Sequence, residues 1–301
     1  MKLSKNSLTE DINCLYCLSE TKNKKIKNLK KFHISQCSVC DLVYADRKPK
    51  SEELNECYSG YDRNYQVSGI SKSKYHKEFK KLNYIYKFKN CLDIGAGNGY
   101  LLDILKKIGI KTYFTEIGEE LINFIKNKNH NYVKGGMYPE SDLKFDLITL
   151  LDVIEHTNEP LRMLENCYDL LNKGGIIYIS TPNFNSIEKK IFKSKYSVFS
   201  YPEHLVYFTK NSLNNFLKKA SFSRVSIETH NISLYRFLRA AQKIFKSKNI
   251  NYSQGHLVNA KVDSLQKIAH GTKIIYLKSF LSYLLKLIGM GNEIKAIYIK
   301  K

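Results

Sequence analysis

From residue 90 to residue 230 the chain alternates short apolar strands with amphipathic helices, and no other feature restricts its fold as much. Asn90 to Ile94 reads as a buried strand and Tyr100 to Ile108 as a helix. Lys111 to Glu116 reads as a strand, Glu119 to Asn127 as a helix, Asn131 to Val133 as a weak strand and Phe145 to Leu151 as a strong one. Pro160 sits at the first turn of a helix reaching Leu171, where a missing N–H costs nothing. Gly174-Gly175 ends that helix, and Ile176 to Ser180 reads as the next strand. Asn211 to Ala220 reads as a helix and Arg224 to Thr229 as a strand. Parallel strands need a helical crossover, so this order predicts an α/β fold, a doubly wound, Rossmann-like seven-stranded sheet. Gly291 to Ile299 alternates as a strand does and is expected to be the last strand of the same sheet. Two apolar helical stretches, Leu234 to Ser247 and Thr272 to Gly289, form an insertion before it, at about 232–289.

Leu92-Asp93-Ile94-Gly95-Ala96-Gly97-Asn98-Gly99 lies between the first strand and the first helix of this region. Glycines there let the chain turn sharply and let a ligand approach the backbone. Glu116, at the end of the next strand, can accept hydrogen bonds from both hydroxyls of a ribose. The third glycine of a dinucleotide loop would fall at position 100, which is Tyr100, and no Gly-Lys-Ser/Thr follows. The loop is therefore neither a dinucleotide fingerprint nor a P-loop.

Nearer the start stand Cys14-x2-Cys17 and Cys37-x2-Cys40. Two such knuckles aim four thiolates at one ion, the arrangement of a structural zinc site. Leu18 and Asp41 follow the knuckles where small ribbons often carry Gly. The Lys-containing tract Thr21 to Lys31 is expected at the ribbon tip, and Cys57, Cys91 and Cys167 are isolated. Ser51 is expected to cap a helix after Pro49, and Lys74 to Phe88 to form an amphipathic helix. The expected organisation is a zinc-ribbon-like segment at 1–57, a Tyr-rich linker and helix at 58–89, and the α/β domain at 90–301.

Lysine and arginine number 49 against 28 acids, a net charge of +21. Such a balance suits nucleic acid or an anionic membrane surface. Yet only Arg47, Arg63, Arg162, Arg224, Arg236 and Arg239 are arginines, and Arg is the residue suited to bidentate phosphate and base recognition. A Lys-rich, Arg-poor chain is what AT-rich codon usage produces. No run of 18 apolar residues suggests a membrane span, and residues 1–13 lack a secretory pattern, so a cytoplasmic location is expected. The helix Ile274 to Ile288 offers peripheral membrane contact or packing on the core or a second subunit.

The motif Asp93 to Gly99 resembles the first motif of class I S-adenosylmethionine-dependent methyltransferases, and Glu116 resembles their ribose-binding acid. Phe145 to His156 is similar to the family's fourth strand and its continuation, and Leu171 to Asn183 to its fifth-strand region. A cysteine ribbon, then Pro49-x-x-x-Glu53-Leu54, Glu155-His156 and Pro202-Glu203-His204-Leu205, is similar to bacterial methyltransferases found with glycan and small-molecule biosynthesis. Glu155-His156 also resembles the ubiquinone-pathway O-methyltransferases. The resemblance implies S-adenosylmethionine as cofactor, held by Asp93, Gly95, Gly97, Asn98, Gly99, Glu116, Ile117, Met137 and Leu151. Gly135-Gly136-Met137 stands where many relatives carry an acid, and Met137 is expected against the adenine.

An activated sulfonium leaves the protein chiefly the task of aligning a nucleophile. A hydroxyl acceptor benefits from a base, and His is suited to that near neutral pH. His156 follows the fourth strand and His204 lies in the loop after the fifth, both at the ligand-binding edge. Glu155 is expected to orient either ring, and the three together are an alternative metal set. The expected function is methyl transfer to a hydroxyl of a small molecule, nucleotide-linked sugar or glycan. The alternatives are an RNA methyltransferase that grips RNA with the ribbon and lysines, and a non-catalytic scaffold of the same fold.

Overall fold

The computed structural model describes residues 13–19, 24–25, 34–58, 69–196, 198–230 and 281–301. Three short strands come first, β1 (Lys24–Lys25), β2 (Ile34–Gln36) and β3 (Val43–Ala45). Two helices follow, α1 (Ser51–Tyr58) and α2 (Gly69–Tyr86). Ser51 is thus the first helical residue, and α2 begins five residues before the expected Lys74. Next come β4 (Asn90–Ile94), α3 (Tyr100–Lys107), β5 (Lys111–Thr115), α4 (Glu119–Lys126), β6 (Asn131–Tyr132) and β7 (Phe145–Leu151). These fall within a residue or two of the bounds expected from the alternation. A 3-10 turn, Ile154–His156, leads to α5 (Pro160–Leu170), β8 (Leu171–Pro182), α6 (Ile187–Phe192), β9 (Val206–Tyr207) and α7 (Lys210–Lys219). β10 (Ser223–His230) and β11 (Glu293–Ile299) complete the order.

Gly174-Gly175 does not separate a helix from a strand, as the sequence suggested. β8 already starts at Leu171, and the glycines sit inside it where its register against β7 shifts between Phe145 and Leu147. The strand continues because Lys300 takes up the backbone there: Gly174 N–H donates to Lys300 O (2.7 Å) and Lys300 N–H to Gly175 O (2.9 Å).

The large sheet has the order β10-β11-β8-β7-β4-β5-β6. β8, β7, β4, β5 and β6 are parallel, and β11 and β10 are antiparallel additions at one edge. The seven-stranded α/β sheet expected from the sequence is therefore present. The chain runs outward from β4 through β5 to β6 and then returns to β7 on the other side of β4. The crevice beyond the carboxyl ends of β4 and β7 is the switch point where ligands bind in such sheets. Helix α3 buries Leu101, Leu102, Ile104 and Leu105 against the sheet. Helix α2 packs Phe79 on Tyr178 with ring centroids 4.9 Å apart. Lys295, 4% exposed, is held under α2 by Glu78 (Nζ to Oε2, 2.6 Å), whose other oxygen accepts from Tyr178 Oη at 2.9 Å. A buried ammonium is tolerated because it is paired.

The small sheet has the order β1-β2-β3-β9, so a strand from the α/β region completes a sheet begun by the N-terminal segment. Cys14, Cys37, Leu42 and Tyr44 share one buried cluster with Leu92, Ile94 and Ile148 of the central strands. Residues 281–287 are helical and deliver the chain to β11. The helix expected at Leu234 to Ser247 and the first half of Thr272 to Gly289 lie outside the described residues, as do Tyr61 and Tyr65. Among the described residues no helix is long and apolar enough to cross a membrane.

Candidate functional site

The glycine loop leaves β4 with Gly95, Gly97 and Gly99 all at positive φ. Gly95 and Ala96 N–H both donate to Thr115 O at 3.1 Å, which ties the loop to the end of β5. A Cβ on Gly95 would come within 2.8 Å of Val153 Cγ2, so the backbone of the loop lies directly on the residue that precedes the Ile154–His156 turn. At Gly97 a Cβ would meet nothing within 4 Å: this glycine leaves open space over the backbone. Gly99 packs toward Ile125 of α4, and Asn98 Oδ1 accepts from Tyr100 N–H (3.2 Å) at the start of α3.

Glu116 turns back onto this loop. Its Oε2 accepts from Gly97 N–H and its Oε1 from Ile117 N–H, both at 2.8 Å. Burial pushes its carboxyl above the ordinary range, against the backbone N–H groups that lower it. Ile117 is 56% exposed, and half-buried Met137 follows Gly136, whose missing Cβ would lie 3.3 Å from Ile117 Cγ2. Met137, expected against the adenine, and Ile117, expected at the cofactor, thus come from one neighbourhood. Leu151, half-buried, ends β7.

Asp93 is placed differently from the other loop residues. It is 2% exposed and accepts from Thr149 Oγ1 of β7 at 2.6 Å. Burial lifts its carboxyl to about 7, with a further push from the Glu116 charge and opposition from the Thr149 hydroxyl. Its value in the unfolded chain is about 4. The folded chain therefore holds a proton that the unfolded chain loses between those values. The contribution of this carboxyl to stability is full below about pH 4 and is lost as pH rises through 7, by roughly 4 kcal/mol at most. Asp93→Asn should flatten the fall in melting temperature of the cofactor-free protein between pH 5 and 8; an unchanged slope would count against this assignment.

A network that the sequence did not reveal braces the loop from behind. Lys128 Nζ donates to Asn98 O and to Asp103 Oδ2, both at 3.1 Å. Buried His130 spans Asp103 Oδ1 (3.1 Å) and Thr112 Oγ1 (2.7 Å). No spacing rule links those five positions.

Across the crevice, the turn after β7 places Glu155 and His156 beside His204. His156 Nδ1 lies 2.8 Å from Glu203 O, and His204 Nδ1 lies 2.8 Å from Val198 O. A carbonyl only accepts, so each Nδ1 carries a proton and donates it to that oxygen. The rings meet edge to face with centroids 4.9 Å apart. Glu155 is 1% exposed; its Oε2 accepts from Thr181 Oγ1 at 2.9 Å, while its Oε1 has no hydrogen-bond partner among the described residues. Burial, then the charge of Asp152, push its carboxyl well above the usual range. One donor atom from each of Glu155, His156 and His204 lies within 4.8 Å of the others. The structure therefore brings together the three residues proposed from sequence.

The four ribbon cysteines also converge, with their sulfurs all within 4.8 Å of one another. Cys14 Sγ is 3.4 Å from Cys40 Sγ, and Cys17 Sγ is 3.5 Å from Cys37 Sγ. Disulfides would be near 2 Å, whereas four thiolates at about 2.3 Å from one tetrahedral ion stand about 3.8 Å apart. Each knuckle closes by an N–H to carbonyl bond, Leu18 to Cys14 O (3.0 Å) and Asp41 to Cys37 O (3.1 Å). Leu18 and Asp41 both adopt positive φ, 57° and 59°. This backbone conformation explains why glycine is common at such positions, and here side-chain-bearing residues adopt it. Against burial, which raises it, the N–H groups of Cys40 and Val39 and the neighbouring thiols bring Cys37 down to about 7.

A family profile described as "Methyltransferase domain" matches residues 61–227, more than half of the chain. A ubiquinone biosynthesis O-methyltransferase of Coxiella burnetii is 34% identical over 107 residues, covering 33% of this chain and 46% of that protein. Another, from Shewanella halifaxensis, is 29% identical over 127 residues, covering 35% and 51%. The chain thus spans about half the length of the curated relatives it matches. Among solved structures, the [4+2]-cyclase SpnF superposes with a TM-score of 0.50 at 14% identity, over 83% of this chain and 92% of that one. That likeness shows the fold alone, since one fold hosts several chemistries.

Proposed function

We propose, for a chain that belongs to the methyltransferase-domain family, that it is a class I S-adenosylmethionine-dependent methyltransferase whose methyl acceptor is a hydroxyl of a small molecule, nucleotide-linked sugar or glycan. The carrying observation is the histidine pair, two rings with Nδ1 on backbone carbonyls at the edge of the crevice that the glycine loop enters. The name of the O-methyltransferase relatives supports oxygen as the acceptor atom.

S-adenosylmethionine supplies a methyl group activated on a sulfonium when bound. Glu116 would accept the ribose hydroxyls, Gly97 would allow close approach of the backbone, and Ile117 and Met137 would contribute apolar surface to the cofactor site. His204 Nε2 takes the acceptor hydroxyl proton as the oxygen attacks, and His156 and Glu155 shape the same edge. A base of this kind contributes about 10²–10⁴-fold. Zinc in the four-cysteine segment is a structural ion in this reading. A second reading is favoured by the orphaned Glu155 oxygen: two imidazoles and a carboxylate are a donor set for a divalent cation.

One experiment addresses both readings. The wild-type protein and His204→Ala are each incubated with methyl-labelled S-adenosylmethionine and a fractionated bacterial lysate, and their metal content is measured. Label in ribonuclease-insensitive small-molecule or glycan pools, at least 100-fold lower in His204→Ala with cofactor affinity kept, is the expected result. Loss of one metal equivalent in His204→Ala would move the cation reading first. Label in RNA would give the +21 charge a role and replace the proposed acceptor class.

A further inference from the structure

We propose that the four-cysteine segment is a positioning element for His156 and His204, acting through β3. The proposal deepens the functional reading above and rests on those histidines facing the acceptor.

Both carbonyls that hold the Nδ1 atoms, Val198 O and Glu203 O, belong to the loop between α6 and β9. Among the described residues β9 pairs with β3 in the small sheet, with Val43 opposite Tyr207 and Tyr44 opposite Val206. Ala45 N–H extends the pairing to Leu205 O at 2.8 Å, and Leu205 N–H in turn donates to Glu155 O at 2.7 Å. A continuous backbone path therefore runs from β3, which starts three residues beyond Cys40, to the turn carrying Glu155 and His156.

Side chains make the second link. Val198 packs in a buried cluster with Ile34 of β2 and Val43 of β3, together with Tyr196, Phe199 and Tyr207. Val198 can carry its carbonyl to His204 only where those ribbon residues hold it. Just past β3, Arg47 Nε donates to Tyr201 Oη at 3.0 Å, and Arg47 pairs with Glu53 of α1. The glycine loop has further supports of its own, Thr115, Lys128 and Glu116, besides its contact with Val153. An ion closing the two knuckles fixes the spacing of β2 and β3, and through them the two imidazoles.

The test needs no acceptor. Full-length protein carrying histidine labelled at Cε1 is examined by NMR, with His156, His204 and His130 assigned by single His→Gln variants. Metal-stripped protein and metal-replete Val43→Ala are compared with wild type, and S-adenosylhomocysteine binding is measured by calorimetry on each. The expected result is that the His156 and His204 resonances shift or split in both samples. His130 should stay in place, and S-adenosylhomocysteine affinity should change by no more than about threefold, as for uncoupled sites. Unmoved His156 and His204 in both samples would overturn the proposal. Movement of His130 together with loss of S-adenosylhomocysteine binding in metal-replete Val43→Ala would also overturn it, by making the ribbon a general folding element. If stripping the metal unfolds the chain, Val43→Ala decides alone. A wrong base or acceptor class would show in the labelling experiment and leave these resonances unaffected.

Discussion

Glu116→Ala is expected to weaken S-adenosylmethionine binding about 100-fold, read by calorimetry on the purified protein. A carboxylate accepting from two hydroxyls makes charge-assisted hydrogen bonds worth about 1.5–3 kcal/mol each, and about 1.4 kcal/mol is a factor of ten. The same side chain holds Gly97 N–H and Ile117 N–H, so its removal also loosens the loop at the one glycine whose outer face is open. Protonation should mimic the variant in part. Burial raises the Glu116 carboxyl, so wild-type affinity should begin to fall at a higher pH than an ordinary glutamate would dictate. Unchanged affinity in Glu116→Ala would sink the placement of the ribose on β5.

Cys37→Ser should release about one zinc per chain and lower the melting temperature by more than about 5 °C. Structural zinc in small cysteine sites carries apparent binding energies of about 10–16 kcal/mol. Only part of that is lost from global stability here, because Leu42 and Tyr44 remain packed in the cluster shared with β4. Metal analysis and a thermal scan on both proteins decide the matter; metal-free wild-type protein that melts like the variant would remove zinc from the structure. Cys57, Cys91 and Cys167 stand apart from the four-sulfur group, so Cys57→Ser should leave metal content unchanged.

Several parts of the site could be read before any coordinates because their causes are local. A chain that leaves a buried strand, turns at positive φ and starts a helix within five residues needs glycine at those turns, and Gly95 and Gly97 announce it. Two residues between cysteines dictate a knuckle whatever the surroundings, so Cys14, Cys17, Cys37 and Cys40 could be grouped by spacing alone. The alternation of apolar strands with amphipathic helices carried the order of the parallel strands for the same reason.

Other parts had no signal to read. Val198 and Glu203 hold the histidines through main-chain carbonyls, which every residue possesses, so no side chain marks the role. β9 is two residues long, too short for a period, and its partner β3 lies about 160 positions earlier. The Asp103, His130 and Lys128 network joins α3, β5 and the turn after α4 through contacts between elements. Gly174-Gly175 looked like a helix stop because glycine usually is one; the backbone of Lys300, far along the chain, keeps it in a strand.

The amino-acid sequence by itself determined the α/β sheet, the glycine loop with its acid on the next strand, and the four-cysteine group. Each follows from backbone conformations and hydrophobic periods that act over a few residues. Only the tertiary structure decided that Asp93 points into the protein toward Thr149, that the main chain of Glu203 and Val198 holds His156 and His204, and that the ribbon shares a sheet with the loop carrying those carbonyls. Those outcomes depend on which surfaces meet when distant segments pack, and burial and hydrogen-bond satisfaction across the whole chain settle that.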